Sequence, residues 1–327
     1  MIAESSVQGA QLVAIDEHGD RQFALMQHPG AVVRDTHPAI SPDGRWVVFA
    51  SSRDRSFDQT SLWIAPLESD AAPARLTQGS AIDSHPVWTR DGRAIVFAST
   101  RDGDFDLYRL AIERGHAKGQ PQQLTNGAGH EVTPTVASDG TVIYSAVTPL
   151  AGTTETPGCP PKPRVESHLE ARLPDGTIKR LTAGPADTAP ALSPDERTIA
   201  FARPADHKSG PDGEIWTIPR DSEVATRLLD LPLTDESGPV WSPDGRFVFA
   251  TSVLRGTCSV VFSSVIVVDT KKPPLTARLL EDRLGVIARL TPAIRGRLDA
   301  AVLASNPEYL PELARIMAAV AAQKNSQ

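Results

Sequence analysis

Short apolar runs closed by polar turns cover the chain from residue 11 to about residue 305. Their length and their content of Val, Ile, Phe, Trp and Tyr predict strands rather than helices. Residues 86–125 show one unit. Val87 and Trp88 end a first strand, and the turn Arg90-Asp-Gly92 follows. Residues 94–98 (AIVFA) make a second strand, 107–112 (LYRLAI) a third and 122–125 (QQLT) a short fourth. The same order recurs at 46–50, 62–65 and 74–77, at 199–202 and 215–218, and at 247–250 and 260–268. Four antiparallel strands per unit make a propeller blade.

Each unit opens on an acidic residue, two spacers and a proline. The five segments run Asp35 to Pro38, Asp83 to Pro86, Glu131 to Pro134, Asp187 to Pro190 and Glu236 to Pro239. The prolines lie 48, 48, 56 and 49 residues apart. A period near 50 with turn signals predicts sheets stacked in a ring. Residues 289–294 (RLTPAI) align with Asp35 to Ile40, which places Arg289 at a sixth acidic position and residues 300–304 on a second strand. That unit lacks two strands, and residues 11–15 and 22–26, around a turn at Glu17 to Gly19, can supply them. The expected fold is therefore all-β: a six-bladed β-propeller over residues 1–305, its last blade closed by the N-terminal strands. A helical tail is expected over 306–327, where Leu313, Ile316, Met317, Val320 and Ala321 share one helical face and Pro311 suits the first turn.

Charge narrows the partners. Charged residues are 22% of the 327, the formal net charge is −7, and no basic stripe with interleaved aromatics occurs, so nucleic acid is not expected as a partner. No apolar run is long enough to span a bilayer. Residues 1–10 lack the basic start and apolar stretch of an export signal, which fits a cytosolic protein or a mature exported one. Cys159 and Cys258 are either two free thiols or one disulfide across a long loop.

The repeat resembles the TolB-like β-propeller family, whose units are WD40-like Pro-Asp repeats. Three motifs carry the resemblance. The first is the run best kept at 236–245 (ESGPVWSPDG), and the second is the Phe-Ala-Ser-x-Arg-Asp loop leading to Leu62-Trp63 or Leu107-Tyr108. The third is the closing Arg-Leu-Thr or Gln-Leu-Thr at 75–77, 123–125 and 180–182. The resemblance implies a propeller that serves as an adaptor, a gate or a carbohydrate-active enzyme, and it implies a periplasmic or secreted location. The chain departs from the family in a Pro-rich insert at 148–164 and in Glu196 where glycine is expected. No Gly-x-Ser-x-Gly nucleophile elbow occurs.

The loops before the first strands share one face with the loops between the second and third. Asp35, Asp83, Glu131, Asp187, Glu236 and Arg289 are therefore expected around the mouth of a central channel, as a ligand-binding ring with a negative surplus. Each acid has a plainer alternative role, stiffening its loop through backbone hydrogen bonds. His37, His85 and His130 are the candidate ligands of a transition metal, and Asp102, Asp104 and Asp106 have the alternate spacing of a Ca²⁺ loop. Arg53 and Arg101 are expected to pair with acids such as Asp58 and Asp106, and Trp63, Tyr108 and Trp216 to pack between blades. The loops at 148–164 and 204–213 are expected on the mouth face, with the first able to carry Cys159 toward Cys258.

The functional expectation is a non-catalytic binding propeller, a monomer that holds a protein segment, a small ligand or a cation at the acidic mouth. The alternative is a metal-dependent lyase or hydrolase acting on an acidic oligosaccharide or a lactone. No motif demands a cofactor; Ca²⁺ or a transition metal is what the residues admit.

Overall fold

The computed structural model describes residues 2–6, 9–15, 21–24, 33–56, 58–67, 71–154, 162–184, 186–207, 210–229, 235–255, 260–271 and 277–279. The chain is an all-β propeller. Among the described residues its strands form five blades of four antiparallel strands each, in meander order. Blade 1 comprises Val33–Ile40, Trp46–Ser51, Ser61–Pro66 and Ala74–Arg75, and blade 2 comprises Asp83–Trp88, Ala94–Ser99, Asp106–Glu113 and His116–Gln123. Blade 3 comprises His130–Val136, Val142–Thr154, Lys162–Arg172 and Ile178–Arg180. Blade 4 comprises Thr188–Leu192, Thr198–His207, Gly210–Pro219 and Thr226–Leu229, and blade 5 comprises Asp235–Trp241, Phe247–Arg255, Val260–Asp269 and Ala277–Leu279. Two compact units divide them. The first is built on Arg21–Leu150 and Val165–Pro190, the second on Ala191–Gln327.

Five blades are described rather than the six expected. The residues assigned to the other half of the sixth, 289–304, and to the helix at 306–327 lie outside the described residues. The N-terminal hairpin forms as expected, with Val13 opposite Ala24 and Ala14 opposite Phe23. Its edges are occupied differently: Ile2–Ser6 adds an unforeseen strand beside Gly9–Ile15, and Gly9 and Ala10 pair in parallel with Val33 and Arg34 of blade 1. Among the described residues no helix is long and apolar enough to cross a membrane.

The turn and closing motifs have direct physical roles. In blade 1 the Ser41 hydroxyl donates to Asp43 Oδ1 at 2.6 Å, Asp43 accepts from the Arg45 N–H, and the Trp46 N–H donates back to Ser41 Oγ at 2.9 Å. Ser193 with Asp195 and Ser242 with Asp244 repeat this lattice. Glu196 takes the glycine position at φ 61°, a left-handed backbone that costs an L-residue about 1–2 kcal/mol. The Leu-Thr pair that ends each of blades 1–3 latches strand three. The Leu62, Leu107 and Leu169 N–H groups donate to the hydroxyls of Thr77, Thr125 and Thr182 at 2.9, 2.8 and 3.0 Å. Each of those leucines returns its carbonyl to Leu76, Leu124 or Leu181.

Loop length separates the blades. The expected loop at 204–213 is instead strand-paired, with Pro204 opposite Gly213 and His207 opposite Gly210. The insert at 148–164 likewise lengthens Val142–Thr154 and Lys162–Arg172 at the expense of the loop between them. A hairpin satisfies its own backbone polar groups, which a long bare loop cannot do. Cys159 and Cys258 lie outside the described residues.

Replacing Thr125 by valine removes the acceptor of a buried N–H at nearly constant volume. A loss of about 1–3 kcal/mol in urea unfolding is expected, and an unchanged midpoint would show that the latch contributes nothing.

Candidate functional site

The first strands of blades 1, 2, 3 and 5 break their ladders at the proline. Register shifts fall between Thr36 and Ala39, Ser84 and Val87, Val132 and Thr135, and Ser237 and Val240. The residue before the proline is left-handed each time: His37, His85, Thr133, Ala189 and Gly238 have φ of 51°, 50°, 52°, 53° and 60°. Four of the five are not glycine, so each carries about 1–2 kcal/mol of backbone cost. Proline has no N–H to waste in the interrupted ladder, which makes it the residue that tolerates this bulge.

The bulge sorts two side chains in opposite directions. Asp35, Asp83, Glu131, Asp187 and Glu236 are 0, 1, 6, 0 and 1% exposed. The residues before the proline keep accessible surface: His37 and Gly238 are exposed, and His85, Thr133 and Ala189 are half-buried. The acids thus sit inside the first strands, beneath the accessible positions.

Burying a carboxylate demands compensation, and each blade supplies it differently. Asp35 accepts from Arg53 Nη2 at 2.6 Å and Asp83 from Arg101 Nη2 at 3.0 Å. These are the partners of the two arginines, in place of Asp58 and Asp106. The arginine follows the residue paired with the acid by two positions (Ser51 faces Asp35, Ser99 faces Asp83), so the strand register itself delivers the guanidinium. Trp63 and Tyr108 lie under those guanidinium groups at 5.6 and 4.8 Å, and Trp216 lies under Arg203 at 4.7 Å. The recurrent aromatic of strand three is therefore a cation–π platform as well as packing. Glu236 accepts from the buried Ser252 hydroxyl at 3.0 Å. The Asp187 carboxylate fills the space where a side chain on Gly184 would begin, 2.5 Å from that Cβ position.

Blade 3 lacks the arginine. Ala146 faces Glu131, and two positions on stands Thr148. Glu131 instead meets Asp106 of blade 2, which is also without a guanidinium, its other oxygen accepting from the Gln123 amide at 3.1 Å. Asp106 Oδ1 and Glu131 Oε2 are buried with no hydrogen-bond donor. Burial, then the facing Asp106, push the Glu131 carboxyl up to about 7, and burial also raises Asp106. Asp102 and Asp104 add negative charge nearby.

The candidate metal ligands are dispersed. Asp102 accepts from the Tyr108 hydroxyl, Asp104 from the Gly129 N–H at 3.3 Å, and Asp106 faces Glu131. His130 accepts from the Phe105 N–H at 3.2 Å and packs edge-on against that ring. Only His37 and His85 meet, with ring centroids 3.8 Å apart across adjacent blades. Protein atoms crowd both rings although His37 keeps an open side. Desolvation, then Arg34, lowers His37 to about 4; desolvation, then His37, lowers His85 to about 3. Both are neutral at pH 7. Ser145 Oγ joins the next two positions, 2.7 Å from Thr133 Oγ1 and 3.0 Å from the Ala189 N–H it accepts. Among the described residues no group of three or more His, Cys, Asp or Glu is placed to hold a metal ion. Arg289 lies outside the described residues.

Blade seams fix these positions. The Asp83, Glu131 and Asp187 N–H groups donate to Thr60, Phe105 and Ser167 of the preceding blade at 2.9, 2.6 and 3.1 Å. The Trp88 and Trp241 indoles donate to Ala39 and Ala191 carbonyls, each at 3.0 Å and one repeat away.

Residues 9–149 match the TolB beta propeller domain, so the family resemblance read from the repeats holds over blades 1 and 2 and the start of blade 3. TolB from Acinetobacter baumannii is similar in fold at 18% identity and a TM-score of 0.61, covering 83% of this chain and 59% of that one. An Agrobacterium tumefaciens protein assigned as TolB gives 20% identity and 0.60, covering 80% and 84%. An oligogalacturonate lyase in complex with manganese gives 16% and 0.51, covering 74% and 63%. No curated protein sequence matches the chain.

The Glu131 carboxyl has a signed consequence. Its folded value lies above the ordinary 4.5, so between about 4.5 and 7 the folded state holds a proton that the unfolded chain has released. Its contribution to stability therefore falls as pH rises through that window and is flat above it. Glu131→Gln, which keeps a donor toward Asp106, should remove this slope and raise the melting temperature at pH 8 relative to pH 5. Parallel curves for the two proteins would contradict the assignment.

Proposed function

We propose that the protein is a non-catalytic binding propeller that holds a protein or peptide segment, a small ligand or a cation at the mouth face of its blades. The observation that supports this most is the sorting of side chains by the bulge. A backbone cost repeated in blades 1 to 4 keeps His37, His85, Thr133 and Ala189 accessible above a floor of buried acids. Strained backbone of this kind persists where the surroundings over-determine it, and it concentrates at binding sites. In this reading Asp35, Asp83, Glu131, Asp187, Glu236 and Arg289 surround the mouth, the acids as its buried floor, and the positions before the prolines make the contacts. A photo-crosslinking residue in place of His37 should capture the ligand, whereas one in place of Ile178, on an outer strand, should not. Equal capture at both places would remove the reading.

The ring is proposed to have six blades, with residues 11–15, 22–26 and 289–304 in the sixth and a helical tail at 306–327. A chain ending at residue 305 should keep the β-sheet spectrum and a cooperative melt; an aggregated product would place the tail in the core. The proposal includes a monomer and a periplasmic or secreted location.

The stacked neutral pair His37 and His85 favours one second reading, a metal-dependent lyase or hydrolase. Metal analysis of the purified protein separates the two. The binding module should carry no stoichiometric transition metal, and one tightly held ion per chain would favour the enzyme.

A further inference from the structure

Arg55 differs from the other arginines of the mouth-face loops. Arg53 and Arg101 recur from blade to blade and each neutralises a buried acid. Arg55 does neither. The blade 2 residue at its place is Gly103, and among the described residues it has no carboxylate partner.

Its guanidinium is nevertheless anchored. Nη1 donates to the Ala81 carbonyl at 2.6 Å, to Ser61 Oγ at 3.1 Å and to the Thr60 carbonyl at 3.4 Å. All three acceptors are neutral, so the positive charge is held in place without being cancelled. Thr60 and Ala81 also bracket the seam between blades 1 and 2, where the Asp83 N–H bonds Thr60. Among the described residues Nε and Nη2 have no acceptor, and both atoms keep accessible surface. Arg55 lines an open cleft together with Val33, Ser52, Arg53, Asp54, Ser56 and Gln59. Asp54 is exposed on a left-handed backbone at φ 60°, and Arg53 is already engaged by Asp35.

We infer that this cleft is a carboxylate-binding site, in which Nε and Nη2 of Arg55 take the two oxygens side by side and Ser56 and Gln59 add neutral donors. The Nε and Nη2 edge of a guanidinium matches a carboxylate in spacing and plane, which a lysine ammonium does not. Arg75 is also held by neutral acceptors, its Nε on the Thr77 carbonyl and its Nη2 on Ser61 Oγ, but it commits to them the edge that Arg55 keeps open. The inference rests on the mouth face being the binding face, and it names an acidic ligand for that face. The carboxylate can belong to a peptide side chain or to an acidic sugar.

Two probes separate those sources: N-acetylglutamate methylamide and glucuronate. Each is titrated into the full chain while the Nε–Hε resonances of Arg55 and Arg45 are followed. Arg45 is exposed beside Asp43 and reports general charge screening. A saturable shift at Arg55 with none at Arg45 is expected for at least one probe, and the probe that saturates identifies the source. Arg55→Gln and Arg55→Lys have no such resonance at position 55, so their binding is read by titration calorimetry, in which Arg55→Gln should weaken binding on the order of tenfold or more. Arg55→Lys keeps the charge but not the paired geometry, and it should fall between the two. Parallel shifts at Arg45 and Arg55, or saturation undiminished in a folded Arg55→Gln protein, overturn the assignment. A partner that crosslinks at position 37 while Arg55 ignores both probes would sink this site and spare the binding propeller. Saturation at Arg55 with no capture at position 37 would do the reverse.

Discussion

A carboxylate buried inside the first strand is the constraint around which each blade is organised. An ionised acid out of water must be paired, hydrogen-bonded or protonated. Blades 1 and 2 satisfy it with an arginine two positions beyond the facing residue, blade 5 with a buried serine and blade 3 with a second acid. The acid's own N–H binds the preceding blade, so the same residue that needs compensation also closes a seam. The proline bulge follows from this. Something must turn the chain between a buried acid and a buried strand without stranding an N–H, and proline with a left-handed predecessor does so.

Repetition gives the frame, and departures from repetition mark where the molecule is individual. Blades 1 and 2 keep short loops and the Arg–Asp pair, whereas blades 3 to 5 extend the second and third strands. At the seam of blades 2 and 3 both guanidinium groups that would neutralise the acids are missing, and two carboxyls meet without one. Arg55 is the converse, a fixed cation with no acid. An array of equal units cannot discriminate one side of its mouth from another. These uneven charges make such discrimination physically available.

Much of this was legible in the residues. The period near 50, the Pro-Asp-Gly turns and the strand order within a blade all follow from local chemistry and spacing, and the structure has them where they were expected. The direction of the acids was not legible. A one-residue bulge reverses which side chain faces in, and its signal in the sequence is the proline. His37 and His85 meet and His130 does not. Sequence spacing equates all three, but His130 stands at a different register position, one residue before the acid rather than two after it.

By itself, then, the chain determined its blade type, its repeat and the identity of the residues at each repeated place, because those depend on turn dihedrals, strand alternation and local hydrogen bonds. Tertiary packing alone decided which acid received an arginine, which received a second acid, and which histidines touched. Those pairings join residues a full repeat apart or on opposite strands, where register rather than order along the chain sets who meets whom.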